Sequence, residues 1–326
     1  MRVARLHDVG MVRIHDEPTP KPGDGEELVQ VEAVGICGSD LHWFGEGAIG
    51  DAQLERPLVL GHEFAGTIRG GIRDGVRVAV DPAIPCETCA WCRGGDENLC
   101  SDLRFAGHGS TDGALREYMA WPSHLLHPVP GMSATDAALL EPLGVALHAV
   151  DLSHPTVGDT VAVVGCGPIG LLLVQAARLG GAARVIGVEP LPHRRRMARD
   201  AGADVVVDPE DIGDLDGVAD IVHEVAGVQE SVDLAARLAR PGARVLLTGI
   251  PDGDRTTFRA STARRRALSL VHVRRMRAAY PRAIELVRGG RIELGVVPTQ
   301  AHGLEDVSTA LARAADRAEG KVVATP

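Results

Sequence analysis

The hexapeptide Gly165-Cys166-Gly167-Pro168-Ile169-Gly170 constrains this chain more than any other feature, because of what flanks it. Ahead of it stands Thr160–Val164, a short apolar run that reads as a buried strand. Behind it, residues 169–179 read as an apolar, alanine-rich helix. The alternation then continues. Strands are expected at Arg184–Val188, Val205–Val207, 221–225 and 244–248, and helices at 194–201 and 230–239. Strands alternating with helices imply a doubly wound parallel sheet. Late helices are expected at 278–288 and 304–318, and no internal repeat or low-complexity segment interrupts the pattern.

A G-x-G-x-x-G hexapeptide is weak on its own, but between a strand and a helix it has a mechanism. Gly165 permits the tight turn, Gly167 lets the backbone approach a pyrophosphate, and Gly170 allows the helix to pack closely on the strand. The helix, opened by Pro168 and Ile169, offers free N–H groups and a partial positive charge to a diphosphate. Glu189 ends the next strand, roughly 20 residues on, where a carboxylate accepts from both ribose hydroxyls and repels a 2′-phosphate. That favours NAD over NADP. Arg194 to Arg196 follow closely and pull the other way, since Arg194 in particular could serve a phosphate. The plain alternative is a sheet of this type that binds no nucleotide.

The region before residue 150 has a different character. Residues 28–34 (LVQVEAV) alternate apolar and polar, as a half-buried strand does, and Arg77–Val80 and 115–120 look similar. Long loops separate them, and the pattern turns helical only at 134–150. Four of the six cysteines fall in one loop, Cys86-x2-Cys89-x2-Cys92-x7-Cys100. In a reducing compartment this is metal-ligand spacing and not a disulfide framework. Four thiolates fill every position of a tetrahedral zinc, so the site is structural. An iron–sulfur cluster is chemically possible there but contributes nothing to the chemistry expected below.

Upstream of this loop lie Gly35-Ile36-Cys37-Gly38-Ser39-Asp40-Leu41-His42 and Gly61-His62-Glu63, and downstream of it Glu141-Pro142-Leu143. A thiolate, an imidazole and a carboxylate hold zinc while leaving one position open. Oxidising an alcohol needs such a Lewis acid to stabilise charge on oxygen. Ser39 followed by His42 is placed to carry the proton out. Taken singly, Cys37 reads as a small buried hydrophobe, His62 as a core histidine, Glu141 as a helix N-terminal acid and His42 as a surface residue. Their order, together with the cysteine loop and the nucleotide turn, reverses those readings.

Composition excludes little more. With 34 Lys+Arg against 44 Asp+Glu the net charge is −10, which disfavours a general nucleic-acid binder. Arg194 to Arg196 and Arg264 to Arg266 are short and read as solvated helix faces sooner than as a phosphate-binding patch. No apolar run is long enough to span a membrane, and residues 1–10 lack the apolar core of a signal peptide, so the protein is expected in the cytoplasm.

The order of these pieces resembles the medium-chain, zinc-dependent alcohol/polyol dehydrogenase family over nearly the whole chain. The segments that carry the resemblance are GICGSDLHW (35–43), VLGHEFAG (59–66), the four-cysteine loop, EPLGVALHA (141–149) and GCGPIG (165–170). Within the family the sequence is most similar to sorbitol (polyol) dehydrogenases, through Gly47 to Asp51 and Tyr280 to Leu286. The resemblance implies an α/β fold: a Rossmann doubly wound sheet over 147–290 and a β-rich, GroES-like catalytic domain over 1–146, with 291–326 returning to it. It implies one catalytic and one structural zinc, NAD, a small-molecule alcohol substrate, no nucleic-acid or membrane partner, and a homo-oligomer, dimer or tetramer. Cys37 and His62 match zinc ligands, Glu63 and Glu141 the two carboxylates near the metal, and Ser39 and His42 the proton relay. Trp43, Phe105 and Arg275 fall on the substrate side. The sequence departs from the polyol pattern at Met276 and Trp43, where tyrosines are expected, and residues 66–78 imply a trimmed hairpin. These departures leave the chemistry alone and open the substrate to an aminocyclitol, a β-hydroxy amino acid or a less polar alcohol. A dehydrogenase fold retained for a non-enzymatic role is the remaining alternative, which the intact set Cys37, His62, Glu63 and Glu141 opposes.

Overall fold

In a computed structural model that describes residues 1–318 and 320–326, contacts divide the chain into two units. The first comprises Met1–Glu141, Tyr280–Ile284 and Pro298–Pro326, and the second Pro142–Ala279 and Glu285–Val297. The division falls at Glu141/Pro142 instead of after residue 146, and the C-terminal return begins at Pro298 instead of 291. The helix Leu140–Ser153 runs through the break, so no local pattern marks it. Tyr280–Ile284 joins the first unit because the Tyr280 hydroxyl donates to the Val80 carbonyl at 2.7 Å and its ring stacks on His127 at 4.8 Å.

The first unit is built on the strand Glu26–Gly35, which contains the expected 28–34. It pairs antiparallel with Glu63–Arg69, with Tyr118–Pro122 and with the C-terminal strand Lys321–Thr325. Arg77–Val80 and Leu126–Pro128 extend the sheet on one side and Thr299–Gly303 on the other. The strand expected at 115–120 joins this sheet from Tyr118 onward, while Arg116 bridges to Val3 and Leu115 donates to the Leu60 carbonyl at 3.0 Å. Val29, Val31, Leu60, Phe64, Ile68 and Trp121 lie in one buried apolar core. Glu63–Arg69 and Arg77–Val80 are joined by a tight turn closed by Gly75 N–H to the Ile68 carbonyl, the trimmed hairpin the sequence implies.

Among the described residues of the second unit, six parallel strands follow the spatial order Val205–Val207, Arg184–Val188, Thr160–Val164, Ala219–Glu224, Ala239–Leu247, Ser269–His272. This is the doubly wound order, with its switch point between Thr160–Val164 and Ala219–Glu224. Buried Ala162, Val164, Ile186, Val188, Val222 and Val245 make up its core, which is why these strands read as unbroken apolar runs. Helices Pro168–Leu179, Pro192–Asp200 and Gln229–Leu238 connect them. The long helix expected at 304–318 is a 3-10 turn, Leu304–Asp306, followed by Val307–Ala315 in the first unit. The helical stretch 134–150 breaks into Ala134–Ala138 and Leu140–Ser153.

Candidate functional site

Strand pairing assembles the first cluster. Gly35 lies opposite Glu63 in register, so the turn after Glu26–Gly35 brings Cys37 to the start of Glu63–Arg69. The donor atoms of Cys37, His62 and Glu63 all lie within 4.8 Å of one another. Gly61 makes the approach possible. Its φ is 92°, and a Cβ there would stand 2.6 Å from Val34 Cγ1.

Asp40, which the sequence reading left without a role, organises this cluster. The carboxylate is 1% exposed; Oδ2 accepts from Cys37 N–H at 2.9 Å and Oδ1 from Gly61 N–H at 3.0 Å. Oδ1 also lies 3.6 Å from His62 Nδ1, which leaves His62 Nε2 on the side of Ser39 Oγ, 3.4 Å away. A carboxylate behind one ring nitrogen orients the other toward a metal. Burial acts to lower the His62 pKa, but Asp40 and Cys37 outweigh it and hold the imidazole well above its ordinary value. A metal must displace that proton, so affinity falls as pH falls.

Lys321 is the second residue missed. It is 5% exposed and donates to Glu63 Oε1 at 2.7 Å, with Nζ 2.5 Å from Oε2 but off the direction of a hydrogen bond. Glu63 Oε2 is therefore ion-paired yet buried without a hydrogen bond. Gly35 gives the pair its room: a Cβ there would lie 2.2 Å from Glu63 Oε2. Glu141, in the first turn of Leu140–Ser153, is pushed up to about 7 by burial, with Glu63 and Asp81 adding to the shift and His62 and Lys321 opposing it.

His42 is half-buried, its Nδ1 2.8 Å from Glu46 Oε1. Phe105 is 8% exposed and its ring centroid lies 5.3 Å from that of His62. Trp43 is 2% exposed and packs in the apolar core, edge-on to His108 at 5.6 Å. Arg275, in the second unit, has a left-handed backbone with φ of 56°. Met276 next to it is buried, its sulfur 2.3 Å from where a Cβ on Gly144 would be.

Cys86, Cys89, Cys92 and Cys100 converge, with all four sulfurs within 4.8 Å. Cys89 and Cys92 sulfurs are 3.4 Å apart and those of Cys86 and Cys92 4.0 Å, far beyond a disulfide bond. A tetrahedral zinc with bonds near 2.3 Å spaces its sulfurs by about 3.8 Å, so the geometry fits that ion. Backbone N–H groups of Cys89 and Cys92 point at the sulfurs of Cys86 and Cys89 at 3.4 and 3.5 Å. Chiefly the Thr88 amide and hydroxyl hold the Cys86 thiol down at about 6, suiting a thiolate ligand.

In the second unit the dinucleotide turn has the expected form. Gly165 has φ of 96°, and a Cβ on Gly170 would lie 2.0 Å from the Gly165 carbonyl oxygen. Gly167 is the N-cap of Pro168–Leu179, with no side-chain hydrogen bond capping the helix. Glu189 is 4% exposed and accepts from Cys166 N–H at 2.8 Å and Leu191 N–H at 3.0 Å. Arg195 is held by the Glu189 and Pro190 carbonyls and by Asp208, whereas Arg194 Nη1 stands 3.4 Å from where a Cβ on Gly167 would be. Arg194 is thus the arginine over the turn.

Residues 23–131 match the alcohol dehydrogenase GroES-like domain and residues 168–289 the zinc-binding dehydrogenase domain. Sorbitol dehydrogenase of Bacillus subtilis (strain 168) is 31% identical over 329 residues, 96% of this chain and 93% of the relative. L-idonate 5-dehydrogenase of Escherichia coli K-12 superposes with a TM-score of 0.93 at 29% identity, covering 100% of this chain and 98% of that one. A Sinorhizobium meliloti 1021 protein solved with NADP superposes with a TM-score of 0.89 at 34% identity, covering 100% and 99%. The chain is accordingly an oxidoreductase with a nicotinamide cofactor, and it belongs to the zinc-containing medium-chain alcohol and polyol dehydrogenase family.

Proposed function

We propose that the chain reversibly oxidises a secondary alcohol of the polyol, sugar-alcohol or cyclitol class to a ketone, with NAD as hydride acceptor. The observation that carries this reading is the mixed donor set Cys37, His62 and Glu63, backed by Asp40 and Lys321 and left one ligand short of a tetrahedron. Two relatives, acting by name on sorbitol and on idonate, support the substrate class. Bound zinc would supply the Lewis acid that draws off the alcohol proton, and bound nicotinamide the hydride acceptor.

The geometry supports the following part for the protein's own residues in this reading. Cys37 and His62 Nε2 are two ligands, with Asp40 fixing the ring. Glu63 would give the third through Oε2, the oxygen without a hydrogen bond, while Lys321 holds the carboxylate through Oε1. Glu141, with its raised pKa, holds the substrate hydroxyl or a water. Ser39 takes the proton, and His42, one helical turn on, passes it to solvent. Phe105 and Arg275 are the substrate-side residues. Cys86, Cys89, Cys92 and Cys100 hold a second, structural zinc. Glu189 receives the ribose hydroxyls and sets the preference for NAD, while Gly165, Gly167, Pro168, Ile169, Gly170 and Arg194 receive the diphosphate. Thiolate ligands suit the reducing cytoplasm, and we expect a dimer or tetramer.

The test is a substrate panel read as NADH absorbance on zinc-loaded and chelated protein, with polyols, cyclitols, an aminocyclitol and a β-hydroxy amino acid as arms. Turnover of a polyol or cyclitol that is lost on chelation supports the reading. Preference for either of the other two arms overturns the substrate class, and no turnover of any secondary alcohol overturns the reaction. Glu189→Ala should lower kcat/KM for NAD by about ten-fold, one charge-assisted contact's worth, and narrow the gap to NADP. A wild-type enzyme that prefers NADP, as the cofactor of the S. meliloti neighbour suggests for that protein, overturns the NAD assignment.

A further inference from the structure

The helices Pro168–Leu179 and Gln229–Leu238 follow the two strands that flank the switch point, Thr160–Val164 and Ala219–Glu224, and their N-termini are treated differently. Pro168–Leu179 opens on Gly167 with no side-chain hydrogen bond capping it. Gln229–Leu238 has one of the chain's own carboxylates at its start. Glu224, the last residue of strand Ala219–Glu224, is 1% exposed, and its Oε1 faces three donors: Ala226 N–H at 2.8 Å, Gly227 N–H at 2.9 Å and, at 2.6 Å, the Ser231 hydroxyl, whose proton it shares with the Val228 carbonyl at 2.5 Å. Its backbone carbonyl accepts two more, from Thr248 N–H at 2.9 Å and Gly249 N–H at 3.2 Å. A single residue thereby ties down the loops that follow two neighbouring strands. A carboxylate in that place satisfies orphan amides and sits at the positive end of the helix.

These loops have no slack, and they reach the nucleotide turn. A Cβ on Gly249 would lie 2.3 Å from Gly227 N, and one on Gly227 would lie 2.6 Å from the Ile250 carbonyl. A Cβ on Gly165 would lie 2.9 Å from Ala226 N, the same amide that Glu224 holds. The segment fastened by Glu224 therefore forms the wall against which the first glycine of the dinucleotide turn rests, at the switch point where doubly wound sheets bind their ligands.

We propose that Glu224 is a positioning residue for dinucleotide binding: by filling the second helix N-terminus with its carboxylate, it fixes 225–228 as the backing of the Gly165 turn. This rests on the reading of the chain as nicotinamide-dependent. Glu224 touches neither cofactor nor substrate, so its loss should act on cofactor affinity and not on the chemical step. Glutamine fills the same volume but is a weaker acceptor for three donors, since charge-assisted bonds are roughly twice as strong as neutral ones.

The test uses the full-length, zinc-loaded protein and its variants Glu224→Gln and Ser231→Ala. Hydrogen exchange in the absence of cofactor reads the amides of Ala226 and Gly227, and NADH titration reads affinity. Glu224→Gln should speed exchange of those two amides, raise the Kd for NADH and the KM for NAD by about ten-fold, and leave zinc content and kcat within about two-fold of wild type. Unchanged exchange overturns the proposal whatever the cofactor result, as does faster exchange with unchanged Kd. Should Glu224→Gln fail to fold, Ser231→Ala, which removes one donor of three, decides: a Kd raised by about two- to three-fold supports the clamp and an unchanged Kd refutes it. A wild-type protein that binds no nicotinamide dinucleotide refutes the underlying assignment instead, and the exchange rates tell the two failures apart.

Discussion

Lys321→Met should destabilise the first unit severely, and Glu63→Gln should remove most of that effect. The Lys321 and Glu63 side chains are 4% and 1% exposed and lie 2.5 to 2.7 Å apart. Removing one member of a buried pair strands the other charge, at a cost of about 3 to 5 kcal/mol, whereas replacing both with neutral groups of similar shape is close to neutral. Each single variant should therefore lose about 3 kcal/mol, and the double variant Glu63→Gln/Lys321→Met much less than the sum, with a coupling of about 2 kcal/mol or more. The chain's three tryptophans, Trp43, Trp91 and Trp121, all lie in the first unit, so urea unfolding followed by tryptophan fluorescence reports that unit alone. Zinc loading should shrink the Lys321→Met defect, because a cation then meets the stranded carboxylate. Single-variant losses that simply add, to within about 0.5 kcal/mol, would refute the pairing as the source of stability.

Cys92→Ser should drop the zinc content from two per chain to one, measured by elemental analysis, with NADH binding by the second unit unchanged; retention of both zincs counts against the four-thiolate site. His42→Ala should reduce the rate by about 10²-fold or less, most strongly at low pH and with partial rescue by added imidazole, and a pH–rate profile superposable on wild type removes His42 from the relay. His223, 1% exposed in the central strand Ala219–Glu224, is pushed down by burial to about 4 from an ordinary 6.5. The unfolded chain therefore binds the proton first. Stability is full above pH 6.5 and falls as pH drops toward 4, by about 2 kcal/mol at pH 5. Circular dichroism of denaturant unfolding should show that slope in wild type and a flatter one in His223→Leu.

The second unit was the more legible part, and the reason is local. Strands Thr160–Val164 and Arg184–Val188 are buried along nearly their whole length, so each is an almost unbroken apolar run, and the half-buried edge strand Val205–Val207 is apolar too. The catalytic cluster was legible residue by residue but not as an arrangement. Cys37, His62 and Glu63 could be named from their neighbours in sequence. Asp40 carried a signal that was not used: it stands three residues after the N-cap Cys37, where a carboxylate reaches back to the cap amide. Lys321 carried none, since it lies 258 residues from Glu63 and only strand pairing brings it there. Trp43 misled for a related reason. Its place in a motif pointed to the substrate, while its bulk made it a core residue.

The pairing of Glu26–Gly35 with Lys321–Thr325 also orders events during synthesis. Glu63 leaves the ribosome 258 residues ahead of Lys321, and the whole of the second unit is made in between. At about 5 to 20 residues per second that interval is on the order of 10 to 50 s. Throughout it the nascent sheet lacks its closing strand, and the thiolate, imidazole and carboxylate stand without their ammonium counter-charge. The Rossmann half, whose strands are contiguous in sequence, is complete before the strand bearing Lys321 is translated.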